Sequence, residues 1–219
     1  MSAVPEPSVA RVDRRKARTR RSLVEAARRI LASRGTTDVS IQDITDEADV
    51  GLGSFYNHFS SKAELFEEAA GEALEEYGQR LDESSAGMDD PAEIFALGVR
   101  LTAGLARTQP AVAQILVQAG EVFLVSDRGL APRARRDIQR GIESGRFSVA
   151  SADVALVATA GAVLTYVQVA LASPGRFDDT SVDALAELLL RMLGVPARSA
   201  RAVVQRPLPP PPRPSKETS

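Results

Sequence analysis

Residues 40–62 read SIQDITDEADVGLGSFYNHFSSK, and they decide how the rest of the chain is interpreted. The first part predicts a short helix, because Ser40 can accept a hydrogen bond from the backbone N–H of Asp43 at the helix start. Three apolar residues then recur on one face of this helix: Ile41, Ile44 and Ala48. Asp-Val-Gly at 49–51 interrupts the helix, since Gly tolerates positive φ and Val is a poor helix former. A second short helix is predicted from about Leu52 to Phe59.

The second helix has an apolar side and a polar side. Phe55 and Phe59 lie four residues apart and can pack back onto Ile44 and Val50. The opposite side and the flanks carry five other residues: Gly53, Ser54, Tyr56, Asn57 and His58. Two short helices joined by a tight turn, the second with a polar outer face, form a helix-turn-helix. Taken alone, the pattern also fits a helical hairpin inside an all-α core.

The longer stretch ADVGLGSFYNHFSSKAELF resembles the DNA-binding signature of the TetR family of bacterial transcriptional regulators. In that signature a Val, a small N-cap residue, a Ser or Thr, an aromatic Tyr and then H-F-x-S-K follow in this order. The resemblance covers residues 14–74 by motif and the remaining chain only as a pattern of helices. It implies a set of contacts to the DNA backbone: Thr37, Ser40, Tyr56, His58 and Lys62.

The front of the recognition helix departs from many members of that family. Leu52 and Gly53 cannot hydrogen-bond a base through their side chains, and Asp49 stands where the family usually has Gly. Base contacts are therefore expected from a small remaining set: Gln42, Ser54 and Asn57, with Leu52 against a thymine methyl group.

Composition limits the kinds of site that this chain can hold. Its 219 residues, 44% of them hydrophobic, suffice for one large or two small domains with a real core. Cys is absent and there is a single His, so no metal site or redox role is supported and no cofactor is expected. Residues 1–11 contain no apolar run that could form the core of a signal peptide, and we expect a cytoplasmic protein.

The net charge of −2 hides an uneven distribution. Residues 11–34 contain ten Lys or Arg and two acidic residues, whereas residues 38–93 contain sixteen acidic residues and two basic ones. Arg14, Arg15 and Arg18 lie near the start of the first predicted helix, where cations oppose the helix dipole. We expect these arginines to contact DNA phosphates, although a merely solvated charged end fits the same pattern.

The predicted fold class is all-α, with an N-terminal three-helix helix-turn-helix domain and a C-terminal helical domain for ligand binding and dimerisation. Four segments are predicted: a disordered arm at 1–12, the DNA-binding domain at 13–60, the ligand-binding and dimerisation domain at 61–205, and a disordered tail at 206–219. The tail is rich in Pro, which fits a solvated segment or a ligand for a proline-binding module.

The resemblance further implies a small-molecule cavity in the C-terminal domain. Helices are predicted near 61–82, 91–107, 111–125 and 130–144. The walls are expected from these helices and the one that follows, and eight residues are the candidate lining: Phe95, Leu101, Thr102, Leu105, Gln114, Gln118, Phe123 and Tyr166. Few of them are charged, which favours a mostly apolar ligand with one or two hydrogen-bonding groups. The glutamines also fit plain surface exposure.

Residues 154–172 are the most apolar run in the chain. Their length is close to that of a membrane span, but Gln168 and two Thr residues dilute the run, and we expect no membrane contact. Packed with residues 181–193 of the same subunit and their copies in a second subunit, they would complete a four-helix bundle. The resemblance implies the same homodimer, with seven candidate interface residues: Val157, Gly161, Leu164, Leu185, Leu188, Leu189 and Met192.

These features together predict a ligand-responsive repressor that leaves a pseudo-palindromic DNA operator when a small molecule binds. No catalytic set is expected, because His58 lies in the helix-turn-helix with no nucleophile placed beside it. The alternative is a small-molecule-binding helical protein, or an enzyme, in which the helix-turn-helix is only structural.

Overall fold

The computed structural model describes residues 7–120 and 126–209, with the backbone alone described at 7–12. These residues form helices and no strand, so the predicted all-α fold class is confirmed. The helices are α1 Pro7–Arg34, α2 Ile41–Glu47, α3 Leu52–Phe55, α4 Lys62–Ser84, α5 Pro91–Ala103, α6 Leu105–Thr108, α7 Pro110–Ala119, α8 Leu130–Glu143, α9 Ala152–Ala172, α10 Asp179–Met192 and α11 Ala197–Val204.

The helix-turn-helix forms as its local sequence predicts. The backbone N–H of Asp43 donates to Ser40 Oγ over 3.0 Å, and the Asp43 carboxylate accepts from the Ser40 backbone N–H over 2.9 Å. This reciprocal capping box satisfies backbone groups at the start of α2. Helix α3 ends at Phe55, four residues before the predicted end, and turns follow it. The Phe59 N–H still donates to the Phe55 carbonyl over 3.0 Å, which keeps both rings on the buried side.

The turn between α2 and α3 depends on an unusual backbone conformation at Asp49. Its φ is 53°, the one positive value at a residue other than Gly among the described residues. Asp tolerates the left-handed region better than most residues, because its short polar side chain can hydrogen-bond locally. This explains why Asp can stand at a position that is Gly in the resembling sequences.

Helix α1 is longer than predicted, because it begins at Pro7 rather than near Arg11. Residues 7–12, predicted to be part of a disordered arm, are therefore helical. Pro is well tolerated in the first helical turn, since its missing N–H would have no partner there. Helix α1 buries several apolar side chains, including Leu23, Ile30 and Leu31. Together with buried side chains of α2 and α3, they form the core of the N-terminal unit.

Contacts divide the chain into a unit that ends at Ala70 and a second that begins at Gly71, within α4. The sequence pattern predicts a division between residues 60 and 61, at the start of that helix. In the second unit the predicted helix 91–107 is split into α5 and α6 at Gly104, and α7 ends at Ala119. Residues 121–125, predicted to continue that helix, lie outside the described residues.

Helix α9 is long and apolar enough to cross a membrane by length and composition alone. One side of it is buried within the chain, including Leu156, Val163 and Val167. The other side is exposed and carries Val154 and Val157, which are 69% and 60% exposed. In α10, Leu188 is 61% exposed in the same way.

Candidate DNA-binding surface and ligand cavity

Helix α3 and the turns that follow it carry six of the thirteen residues predicted to contact DNA. Leu52 and Tyr56 are large, and 47% and 64% of their surfaces are exposed. Gly53 and Asn57 are also exposed, whereas Ser54 and His58 are half-buried. Phe55 and Phe59, at 0% and 2% exposure, anchor the segment from beneath, with ring centroids 6.0 Å apart.

Exposed basic residues lie on α1, in the same unit. Arg14, Arg15 and Arg18 are exposed, and Thr37 is exposed in the loop before α2. The Arg20 guanidinium lies 5.0 Å from the Phe59 ring centroid and pairs with Glu68 of α4. Arg20 therefore ties α1 to the recognition segment and to the first turns of α4.

Lys62, Gln42 and Ser40, all predicted to contact DNA, have partners within the protein. Lys62 Nζ donates to the Val39 carbonyl over 3.0 Å, and the Gln42 side-chain amide donates to Asp46 over 2.6 Å. The Ser40 hydroxyl is engaged in the capping box, where it also donates to Asp43 over 2.6 Å. Each of them keeps hydrogen-bonding capacity, since an ammonium has three donors and an amide has an acceptor besides. Part of their contribution is therefore to fix the position of α2.

We expect Lys62→Ala to weaken binding to all DNA sequences about equally and to reduce the salt dependence by roughly one unit of slope. The measurement is operator affinity at several salt concentrations for specific and unrelated DNA. Since Lys62 also holds the Val39 carbonyl, Lys62→Ala should lower the melting temperature as well. A change in which operator sequence is preferred would contradict the phosphate assignment.

His58 is surrounded by positive charge. Partial burial, and then the charges of Lys16 and Arg20, lower the pKa of His58 below its ordinary value of 6.5. The imidazole of the free protein is therefore neutral at physiological pH. A DNA phosphate beside it would favour the charged form and raise that pKa again.

DNA affinity should accordingly rise as the pH is lowered from 8 to about 6. On binding DNA, each protomer should take up at most about one proton through His58. The sign follows because the pKa is higher in the complex than in the free protein, so the complex binds protons more readily. Operator titrations across this range measure the effect, and His58→Gln should flatten it. An equally steep pH dependence in His58→Gln would remove His58 from the interface.

The second unit contains a cavity between α4, α5, α7, α8 and α9. Its empty volume is about 1050 Å³, including the part that is open to solvent. Apolar side chains make up most of the wall: Leu74, Leu81, Ile94, Phe95, Leu97, Val99, Leu116, Leu130, Leu156, Val163 and Leu164. A cavity with mostly apolar walls and a few polar groups is typical of a small-molecule site.

The structure brings only part of the predicted lining to this cavity. Phe95 and Thr102 lie in its wall. The predicted lining is corrected for five residues that do not: Leu101, Leu105, Gln114, Gln118 and Tyr166. Gln118 is exposed on α7, and Leu105 is fully buried after the break at Gly104. Phe123 lies outside the described residues.

One part of the cavity wall is charged. It contains three residues that the sequence pattern did not indicate: Asp82, Arg133 and Asp137. Arg133 Nε donates to Asp82 over 2.7 Å, and its terminal nitrogens donate to the two oxygens of Glu75 over 2.7 and 2.8 Å. Arg136 connects Asp82 and Asp137, at 2.8 and 2.9 Å. The cluster thus joins α4 to α8.

The ion pairs keep this cluster charged. Hydrogen bonds from Arg133, and then from the Gly129 N–H, lower the pKa of Glu75 to about 2. Burial alone would raise the pKa of Asp82, but hydrogen bonds from Arg136 and Arg133 outweigh it and hold that pKa below its ordinary value. Glu75 and Asp82 are therefore ionised at neutral pH, and Asp82, which lies in the wall, can accept hydrogen bonds from a ligand.

Two threonines also lie in the wall of the cavity, Thr102 and Thr159. Thr159 Oγ1 is buried and makes no hydrogen bond within the described residues. Thr102 Oγ1 lies 3.4 Å from the Tyr77 hydroxyl, whose pKa is raised by burial to about 12. Since a buried hydroxyl without a partner is costly, Thr159 marks a place where a polar ligand group would be favourable.

The predicted dimer-interface residues separate into two groups. Val157, Leu188 and Met192 are exposed apolar side chains, and Gly161 is exposed with them. The other three are covered to different degrees within the single chain: Leu164, Leu185 and Leu189. Leu189 is only 5% exposed, and Leu164 lines the cavity. Val154 was missed, although it lies one turn before Val157 on the same face of α9.

A helix-turn-helix unit joined to a helical unit with a small-molecule cavity is typical of ligand-responsive transcriptional regulators. Residues 23–69 match the family profile described as bacterial regulatory proteins of the tetR family. Residues 90–206 match the profile described as the tetracyclin repressor-like C-terminal domain. The chain belongs to the TetR family of transcriptional regulators, whose members bind operator DNA and small-molecule effectors as dimers.

Solved structures agree with this assignment. RolR in complex with its ligand resorcinol is 36% identical, with a TM-score of 0.76 over 91% of this chain and 99% of RolR. RolR without ligand has the same identity and a TM-score of 0.72, over 87% of this chain and 99% of RolR. FadR from Bacillus subtilis, in complex with stearoyl-CoA, is 17% identical with a TM-score of 0.60, over 78% of this chain and 97% of FadR, and shows the fold alone.

A curated relative matches over about a quarter of its length. The HTH-type transcriptional repressor DhaR of Mycobacterium sp. (strain GP1) is 43% identical over 58 residues. The match spans 26% of this chain and 27% of DhaR. The relatives with stated roles are thus transcriptional regulators rather than enzymes.

Proposed function

We propose that this chain is a cytoplasmic, homodimeric repressor that leaves a pseudo-palindromic operator when a small hydroxylated aromatic molecule occupies the cavity. The observation that carries this proposal is the charged cluster Asp82, Arg133 and Asp137 in the wall of an otherwise apolar cavity. Apolar walls suit an aromatic ring, and ionised carboxylates suit hydroxyl donors.

The chemistry of the wall favours a neutral ligand over an anion. The carboxylates Asp82 and Asp137 lie in the wall, and the two guanidiniums beside them are already engaged: Arg133 by Glu75 and Asp82, and Arg136 by Asp82 and Asp137. A carboxylate or dianion would have to compete with these ion pairs, whereas a phenolic hydroxyl could donate to a carboxylate and accept from Arg133 or Thr159. The likeness to the resorcinol complex of RolR supports the same class of ligand.

The expected DNA site follows from two-fold symmetry. In a dimer, the α3 segments of two protomers would enter successive major grooves, with half-site centres about 34–36 Å apart if they lie one helical turn apart. Gln42, Ser54 and Asn57 are the proposed base contacts, and Leu52 is the proposed contact to a thymine methyl group. The basic residues of α1, with Tyr56, His58 and Lys62, are the proposed phosphate contacts.

The proposed dimer uses the exposed apolar faces of α9 and α10. Val154, Val157 and Leu188 are exposed by 69%, 60% and 61%, which is unusual for large apolar residues. Covering them by the same faces of a second copy would complete a four-helix bundle. This arrangement also accounts for the apolar length of α9 without a membrane.

Ligand binding can release DNA only if the ligand prefers the conformation whose recognition helices no longer fit two successive grooves. Helix α4 is the proposed link, because it begins with Lys62 in the DNA-binding unit and ends in the unit that contains the cavity. Asp82, in its last turns, belongs to the charged cluster.

A gel-shift selection on genomic fragments, with and without resorcinol, tests the proposal. We expect specific retention of a fragment with an inverted repeat and its release by resorcinol or a related phenol. If no fragment is retained over nonspecific DNA, the helix-turn-helix is only structural and the repressor assignment is wrong. If a fragment is retained but a panel of phenols neither binds nor releases it, only the ligand class is wrong.

Thr159→Val should separate ligand affinity from stability. Valine has nearly the shape of threonine but lacks the hydroxyl, so the free protein should be as stable as the wild type or slightly more stable. Affinity for a hydroxylated ligand should fall by roughly tenfold, because one hydrogen bond is lost. Calorimetric titration and thermal unfolding measure the two effects, and unchanged affinity would place the ligand away from Thr159.

A further inference from the structure

Gly78 occupies a buried position in the interior of α4. Glycine is less favourable than alanine at such a position, because it loses more conformational freedom on helix formation. A Cβ atom at Gly78 would lie 2.8 Å from Arg133 Nη1 and 3.0 Å from both its Cδ and its Cζ. The three nearest atoms all belong to Arg133, so the absence of a Cβ atom at Gly78 leaves room for the Arg133 side chain.

The guanidinium of Arg133 crosses α4 at this point. Glu75, Gly78 and Asp82 follow one another at spacings of three and four residues, so they lie along one face of the helix. Arg133 donates to Glu75 on one side, at 2.7 and 2.8 Å, and to Asp82 on the other, at 2.7 Å. Gly78 is the position between the two carboxylates.

Arg133 has little freedom to move away from a new side chain. Its Nη1 also donates to the Gly129 carbonyl over 2.6 Å, and the Gly129 N–H donates to Glu75 over 2.8 Å. The Arg133 side chain is only 18% exposed. Displacing the guanidinium would therefore break several charge-assisted hydrogen bonds, which are the stronger kind.

We propose that Gly78 is a positioning residue for ligand recognition, because its bare backbone lets Arg133 lie across α4 and present its guanidinium to the cavity between Glu75 and Asp82. The positioning of Arg133 follows from the contacts above, and its effect on ligand affinity rests on the proposed function. Gly78 itself is not in the cavity wall and would not touch the ligand.

A double-mutant cycle on thermal stability tests the positioning without any ligand. Gly78→Ala should lower the melting temperature by roughly 2–6 °C, because the methyl group displaces Arg133. In an Arg133→Ala background the same substitution should raise it by roughly 1–4 °C, since only the helix preference for alanine remains. Arg133→Lys, which keeps a cation but lacks the planar group, provides a second background should Arg133→Ala not fold.

Gly98→Ala is the matched control for stability, because Gly98 lies inside α5 and no neighbouring atom comes within 4 Å of the place that an added Cβ would take. Gly98→Ala should raise the melting temperature both in the wild type and in the Arg133→Ala protein. If Gly78→Ala behaves like Gly98→Ala in the wild type, or lowers stability equally when Arg133 is absent, Gly78 does not position Arg133.

Calorimetric titration with resorcinol tests the functional consequence. Gly78→Ala should lower resorcinol affinity about tenfold while changing ligand-free operator affinity by less than about twofold, and it should have no further effect when Arg133 is absent. If the effects of Gly78→Ala on melting temperature and on resorcinol affinity are both the same with and without Arg133, the inference is wrong. If resorcinol does not bind the wild type, the proposed ligand class fails, whereas the stability cycle still decides the role of Gly78.

Discussion

Val157→Glu should convert the proposed dimer to monomers and reduce operator affinity by at least about a hundredfold. Val157 is 60% exposed in the middle of the apolar face of α9. In a two-fold interface a substituted residue enters twice, so two carboxylates would be buried without partners. Analytical ultracentrifugation measures the association, and a gel shift with the selected operator measures the affinity.

Gln118→Glu is the control for Val157→Glu, because it adds the same charge at an exposed position on α7, outside α9 and α10. It should leave both association and operator binding unchanged. A Val157→Glu protein that remains dimeric would show that the interface lies elsewhere. A monomeric Val157→Glu protein with full operator affinity would show that DNA binding does not require the dimer.

Gly141→Ala should destabilise the protein by roughly 3 kcal/mol. A Cβ atom at Gly141 in α8 would lie 2.0 and 2.3 Å from two ring carbons of Phe147. The ring cannot move aside easily, because Phe147 is 3% exposed, its N–H donates to the Gly141 carbonyl over 2.9 Å, and its ring packs against Phe95. Urea unfolding measures the loss of stability.

Phe147→Leu in the Gly141→Ala protein should recover part of that loss, because the smaller side chain relieves the overlap. Phe95 lines the cavity, so Gly141→Ala should also weaken ligand binding through the displaced ring. Unchanged stability in Gly141→Ala would mean that the loop carrying Phe147 shifts without cost.

The helix-turn-helix could be predicted from sequence because its determinants are local. The Ser40–Asp43 cap and the pair Phe55 and Phe59 lie within twenty residues of one another, and the structure confirms the cap and the burial of both rings. The length of α3 was overestimated, because Phe55 and Phe59 keep helical spacing while the intervening turn is not part of the helix.

The cavity could be predicted only in part, because its wall combines five helices from different parts of the second unit. Polar residues on an apolar helix, such as Gln114 and Gln118, indicate a polar lining, but neither lies in the wall. Arg133 and Asp137 lie in the helix predicted near 130–144, which contributed no candidate lining residue. One feature of the sequence could have indicated this charged cluster. Glu75 and Asp82 lie seven residues apart on one face of α4, and their charges are opposite to those of the basic face of α8.

The periodicity of α10 shows a second limit of sequence patterns. A stripe of apolar residues indicates burial, but it does not distinguish the core of one chain from contact with another. Leu189 is buried within the chain, whereas Leu188, its neighbour in sequence, is 61% exposed. The buried side of α10 is distinguished from its exposed side only by the packing of α10 against α5 and α11.

Helix α9 carries the cavity wall on one side and the exposed apolar face on the other, with Leu156, Thr159 and Val163 on the first and Val154 and Val157 on the second. In the proposed dimer, substitutions in α9 that reshape the wall would therefore also disturb a surface under selection for self-association. The walls from α5 and α8 carry no such second constraint. Divergence of effector preference among related repressors should thus concentrate in α5 and α8, and directed evolution of a biosensor should begin there.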